Sequence, residues 1–255
     1  MTIKTPTYAE TRRAWRNIWI ETDFDRELQT LSYRRSQELL NAYLSYLDKS
    51  SPILEAGCGL GQLVYYLRER GYNAIGVDYA PEALISTHSQ FPEMPLHVGD
   101  IHQLPYPDNY FGGYLSFGVV EHFEQGPIPA LKEAYRVLYP KGTLVLTVPH
   151  PNVVETLRDT INRLFPARLE KLGPRADYYE TTYTHETLAD LVASVGFEVK
   201  TVVPYSHSYT FYGLGGVFRG SGYYATSPLA EIAGSVGRVI LPWTTAFSSL
   251  IVARK

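Results

Sequence analysis

The chain has 255 residues, with 23 basic against 26 acidic side chains for a net charge of −3, and is 45% apolar and 19% charged. That composition is globular, and the length suffices for one α/β domain with a large core. The balanced charge excludes the basic face that nucleic-acid binders carry, because Arg12, Arg13 and Arg16 are offset by Glu10, Glu21, Asp23, Asp25 and Glu27. Cys58 is the single cysteine, which rules out an intrachain disulfide and a thiolate metal cage.

Along the chain, the opening Met-Thr-Ile-Lys-Thr-Pro lacks the apolar core of a secretory leader. Residues 7–50 read as two or three helices, and the last places Leu39, Leu40, Tyr43, Leu44 and Leu47 on one face. From Pro52 the texture changes. Short apolar runs at Ile53–Ala56, Ala74–Val77, Leu96–Val98, Tyr114–Phe117 and Leu144–Val148 alternate with helical patterns at Leu63–Arg70, Pro81–Ser89 and Ile128–Leu138. Thr184 is placed as the N-cap of a further helix, followed by strands at Phe197–Val203 and Phe247–Ala253. Strands alternating with helices predict right-handed crossovers and a doubly wound, mostly parallel α/β sheet. Two stretches, 149–183 and 204–246, far exceed the usual connection of about 4–6 residues. They are read as cap insertions on a domain spanning 50–255, with residues 1–49 as a helical extension. The late uncharged run Val239–Ala253 contains Pro242 and falls short of the roughly 20 residues a membrane span needs. A soluble, cytoplasmic protein is expected.

The motifs that carry chemistry sit where strands end. The first strand enters Glu55-Ala-Gly57-Cys58-Gly59-Leu-Gly61 and then a helix, so that glycines let backbone lie against a ligand. The dinucleotide pattern G-x-G-x-x-G would need its third glycine at Gln62, and no Walker lysine follows, so the loop argues against a pyrophosphate. Asp78 ends the second strand about 20 residues later, placed to accept from ribose hydroxyls. Its alternative role is a cap before Ala80-Pro81-Glu82. Asp100 ends the third strand in register with Asp78, where it can accept from an adenine amino group beside Ile101.

Three longer runs complete the pattern: Ile53–Gly61, Gly76-Val-Asp-Tyr79, and Gly99-Asp-Ile-His-Gln-Leu-Pro-Tyr-Pro-Asp108. Ser116-Phe-Gly-Val-Val-Glu-His122 and Glu133-Ala-Tyr-Arg-Val-Leu-Tyr-Pro-Lys-Gly142 follow in order. Together they resemble the class I, Rossmann-like methyltransferases that depend on S-adenosylmethionine (SAM). The subfamily is similar to the ubiquinone/menaquinone-biosynthesis type (methyltransferase type 11 domain). The resemblance covers roughly residues 50–150 and 184–203. It implies a seven-strand sheet with an antiparallel last strand, SAM as cofactor and S-adenosylhomocysteine as product. It further implies that Glu55, Gly57, Cys58, Gly59 and Gly61 form the loop at the methionine end, and that Asp78 holds the ribose. Asp100 and Ile101 would hold adenine, with Phe117 and Gly118 at the methyl region. Tyr79 stands where a small Ser is common, and its ring could stack on adenine. Lys141 replaces a frequent Gly before strand five.

The sulfonium already makes the methyl group electrophilic, so the enzyme mainly aligns a nucleophile and excludes water. Where the acceptor must lose a proton, a base contributes about 10²–10⁴-fold. His122, which also borders the cofactor pocket, and His150 are the candidate bases at the carboxyl edge of the sheet. No Asp/Asn-Pro-Pro-Tyr-like motif follows strand four and the lone Cys58 lies in the glycine loop. Nucleic-acid acceptors are therefore disfavoured, and the absence of an acid cluster there disfavours a metal. The expected partner is a small-molecule acceptor, methylated at O, N or C and apolar, aromatic or lipid- or glycan-linked. The alternatives are a SAM-binding regulator without transferase activity and a protein methyltransferase. Peripheral membrane contact is compatible with the composition, as is a monomer or homodimer. The Tyr- and Gly-rich segment 205–225, with helices around Trp15 and Trp19, is expected to cap the methyl site; an interface or an added core layer is the alternative.

Overall fold

The computed structural model describes residues 7–164 and 179–255. The strands are β1 (Pro52–Ala56), β2 (Asn73–Asp78), β3 (Leu96–Val98), β4 (Phe111–Phe117), β5 (Leu138–Pro149), β6 (Glu198–Tyr205) and β7 (Ser248–Arg254). They form one sheet in the order β3-β2-β1-β4-β5-β7-β6. Strands β1 to β5 pair in parallel, while β7 inserts antiparallel between β5 and β6. This is the α/β sheet expected, with its antiparallel last strand.

The central strands are mostly apolar because both faces are covered, with Glu55, Ser116 and Thr147 as buried polar exceptions. Leu54, Tyr114, Leu144, Leu146 and Ile251 point to the side covered by α6 (Ile128–Val137) and α8 (His185–Ser194). Their neighbours Ile53, Leu115, Val145 and Leu250 point to the side of α4 (Gln62–Arg68) and α5 (Pro81–Gln90). Thr184 caps α8 as expected, accepting from the Thr187 amide. The strand order reverses between β1 and β4, and that switch point opens a crevice at the carboxyl ends.

Residues 7–50 fold into α1 (Tyr8–Glu21), α2 (Phe24–Thr30) and α3 (Arg34–Tyr43). Thr7 and Glu10 form a reciprocal capping box on α1, which docks on α5 and pairs Arg16 with Glu82. The insertion at 149–183 contributes α7 (Val153–Leu164), capped by Asn152, and its middle lies outside the described residues. The segment 204–246 contains α9 (His207–Tyr212), α10 (Pro228–Ile240) and α11 (Pro242–Thr245). Two of its glycines serve helix packing. A Cβ at Gly234 would strike the Ser208 backbone, and one at Gly237 would come within 2.7 Å of Thr245 Oγ1, so α10 lies directly on α9 and α11. Among the described residues no helix is long and apolar enough to cross a membrane.

Lys141 adopts φ +72° at a turn within β5, held by its amide to Lys255 O at 2.9 Å. A side chain in this region is strained, which accounts for the glycine common there. Lys141→Gly is expected to raise stability by about 0.5–1 kcal/mol, read as a higher urea midpoint with an unchanged slope.

Candidate active site

The turn from β1 into α4 runs through left-handed backbone at Gly57 (φ +81°), Gly59 (φ +53°) and Gly61 (φ +77°). The amides of Gly57 and Cys58 both donate to Val77 O, at 2.8 and 3.0 Å, fastening the loop to the end of β2. The Asp78 carboxylate then closes it. Its Oδ2 accepts from the Gly59 amide and its Oδ1 from the Ala80 amide, each at 2.9 Å. Asp78 therefore caps the chain leading into α5 and still borders the crevice.

Above this loop lies a cavity of about 240 Å³. It brings together Glu55, Gly57, Cys58, Gly59, Asp78, Tyr79, Asp100, Ile101, Phe117, Gly118 and His122. Two singled-out residues lie elsewhere. Gly61 does not line the cavity; it turns the chain into α4, where a Cβ would meet Leu96 Cδ2 at 2.8 Å. His150 sits at the end of β5, described below.

The roof comes from the N-terminal helices: Thr11, Arg12, Trp15 and Trp19 of α1, Leu31, and Ser36, Leu39, Leu40 and Tyr43 of α3. The two indoles stack at 5.7 Å, and a Cβ on Gly59 would lie 2.6 Å from Trp19, so the tryptophan rests on the glycine loop. Tyr79 also faces α1, with the Arg12 guanidinium 4.9 Å from its ring centre. Residues 205–225 do not line this cavity. They pack behind the roof instead: Tyr33 donates to Tyr223 O, and Tyr223 donates to Glu27 Oε1. Thr11, Arg12, Ser36 and Gln62 gave no sequence signal. Leu39, Leu40 and Tyr43 gave one, as an apolar helix face, without showing what it covers.

Burial sets the electrostatics. Glu55 is buried and its Oε2 has no hydrogen-bond partner, so desolvation pushes its carboxyl well up, against the Val64 amide. Beside it the Tyr43 hydroxyl is buried and unpartnered, and burial first, then Glu55, raises it too. Gln62 Oε1 is a third unpartnered polar atom in the lining. Burial also raises Asp78, while the Ala80 and Gly59 amides oppose that. Asp100 differs: it bonds the His102 ring at 2.7 Å and is held down to about 2, first by that bond.

His122 closes the 3₁₀ turn Val120–His122 after β4 and is 7% exposed. Its Nδ1 lies 2.7 Å from Tyr179 O, a carbonyl, so Nδ1 carries the proton and neutral Nε2 is the basic nitrogen. Burial lowers its pKa. His150 instead joins β5 to β7 through Ser249 Oγ at 3.1 Å and lies against Trp243 at 5.2 Å.

Residues 54–146 match the family model of a methyltransferase domain. A protein of Mycolicibacterium smegmatis named "probable S-adenosylmethionine-dependent methyltransferase" is 25% identical over 208 residues, 81% of this chain and 68% of that one. Against a similarly named protein of Mycobacterium tuberculosis, 28% identical, the match covers 53% of this chain and spans about half (49%) of that one. A SAM-dependent methyltransferase of Archaeoglobus fulgidus shares the fold at TM-score 0.58 and 20% identity, over 89% of this chain and 98% of that one. So does a Burkholderia thailandensis 1,6-didemethyltoxoflavin-N1-methyltransferase with bound S-adenosylhomocysteine, at TM-score 0.61 and 17% identity, covering 100% and 93%. The glycine loop, the two strand-end aspartates and the unpartnered polar atoms in one crevice fit such a cofactor. Residues 54–146 thus carry a methyltransferase domain, on the fold shared with methyltransferases that use S-adenosylmethionine.

Proposed function

We propose that the protein methylates a small acceptor with an apolar or aromatic body, bound beneath α1 and α3. The observation that carries this reading is the composition of the cavity. Polar groups gather at the carboxyl ends of β1 to β3, while Trp15, Trp19, Leu31, Leu39, Leu40 and Phe123 make the remaining wall apolar. A roofed apolar chamber suits a compact substrate and disfavours a peptide, which needs an open groove.

SAM, when bound here, supplies a methyl group already activated by its sulfonium. Asp78 and Asp100 would hold its ribose and adenine, and the glycine backbone and Glu55 its methionine end. The unpartnered Glu55 Oε2 suits an ammonium group, since a buried carboxylate gains most from a cation. The indoles exclude water, and neutral His122 Nε2 is the group proposed to take a proton from the acceptor.

The test is S-adenosylhomocysteine release across acceptors graded by polarity, with apolar and aromatic hydroxyl or amine compounds expected to react. Tight SAM binding with no turnover on any of them would favour a regulatory role. His122→Ala is expected to lower turnover about 10²–10⁴-fold with SAM affinity little changed, and His150→Ala much less. Because burial holds His122 below the ordinary 6.5, activity should fall as pH drops beneath that value, and His122→Gln should flatten the acid limb. An unchanged limb in His122→Gln would mean alignment without a histidine base.

A further inference from the structure

The opposite face of α3 carries a second, separate feature. Arg34, Arg35 and Glu38 line a cleft with His207 of α9 and Glu231 and Arg238 of α10. Two nitrogens there are buried without a hydrogen-bond partner, Arg35 Nη1 and His207 Nε2, and His207 is only 4% exposed. The carboxylates do not answer them. Arg34 and Arg238 share Glu38 Oε1, at 3.0 and 3.2 Å. Glu231 lies within electrostatic reach of Arg35, but its Oε1 accepts from Thr226. Arg35 instead stacks on Tyr33 and Tyr209, 5.0 and 4.7 Å from the ring centres. A desolvated guanidinium with an unused N–H, beside two more arginines, is built for an oxyanion.

His207 adds a proton. Thr245 Oγ1 donates to Leu241 O at 2.9 Å, so it accepts from His207 Nδ1 at 3.0 Å, and Nε2 of the neutral ring is a buried lone pair on a residue that lines the cleft, with the Pro204 backbone nearby. Protonation from solvent would turn that atom into another donor. We propose that the cleft binds a tetrahedral oxyanion, a phosphate or sulfate group, between Arg35, Arg238 and His207, and that binding draws a proton onto His207 Nε2. Burial and then Arg238 keep the empty ring's pKa low, and an anion offsets the Arg238 contribution. The remaining facing charges are Arg34, Glu38 and Glu231. This site lies outside the cavity assigned to methyl transfer and does not depend on that reading.

Calorimetry of the full chain with sodium sulfate at constant ionic strength tests it, since sulfate keeps its charge throughout. Affinity is expected to rise about tenfold from about pH 7.5 to about pH 5.5. Arg238→Gln, whose native side chain is half exposed, should weaken binding about tenfold without disturbing the fold. His207→Gln should remove the pH dependence. No sulfate binding, or binding indifferent to both Arg238→Gln and Arg35→Gln, overturns the proposal; so does a pH dependence that survives His207→Gln. A second arm separates the sources of such a group, because α10 also exposes Ile232, Val236 and Val239. Inorganic phosphate binding with no Arg238-dependent attachment to phosphatidic acid vesicles assigns a free phosphate. Vesicle attachment lost in Arg238→Gln assigns a lipid headgroup.

Discussion

Asp78→Ala is expected to weaken SAM binding at least 10–100-fold, the equivalent of about 1.5–3 kcal/mol for hydrogen bonds to a charged group. The structure adds a second loss, because the same carboxylate holds the Gly59 and Ala80 amides. The variant gives up two loop closures together with the proposed ribose contacts. Asp78→Asn keeps one acceptor oxygen and should fall between wild type and Ala. Calorimetry on folded protein decides the matter, and unchanged affinity in Asp78→Ala would refute the ribose assignment.

Gly57→Ala is expected to cost about 2–4 kcal/mol of stability, combining strain at φ +81° with overpacking. A Cβ there would stand 2.5 Å from Val119 Cγ2 and 2.9 Å from Cγ1. For a chain of this size the melting temperature should drop about 5–15 °C. Val119→Ala in the same background removes the clash but not the backbone strain, so the pair should recover part of the loss. That non-additivity is the signature to look for. Purely additive effects would mean that the strained φ, and not Val119, is what demands glycine here.

The sheet could be read from the sequence because its strands are buried on both faces. Runs such as Ile53–Ala56 and Leu144–Val148 are mostly apolar and too short for a helix, and they are followed by Gly57 and Pro149. The beginning of β5, Leu138–Gly142, was not legible, since Pro140 and Lys141 read as a turn and only pairing with β4 and the chain end extends the strand. The floor of the site was legible in part: Asp78 and Asp100 reach the same sheet edge, but Asp78 pairs with Val98, and Asp100 follows β3 by two residues and is not in register with it. The roof was not. Nothing local says that α3 turns Ser36, Leu39 and Tyr43 toward a cavity and Arg35 away from it, because tertiary packing makes that choice. Residues 205–225 show the converse: an aromatic, Gly-rich composition suggested a chamber wall, and Tyr223 instead donates its hydroxyl to Glu27 of α2 while its carbonyl accepts from Tyr33.

One residue's backbone ties two of these regions together. The Tyr179 amide donates to Thr11 Oγ1 of α1 at 2.9 Å, and its carbonyl accepts from His122 Nδ1 at 2.7 Å. A single residue thus fixes the imidazole's tautomer and adds one tie to the first helix, beside the Arg16–Glu82 pair. If α1 lifts to admit a ligand, Tyr179 loses the anchor on one side and the ring loses its fixed acceptor on the other. On the base role proposed for His122, lifting α1 would open the cavity and disarm the ring in the same movement.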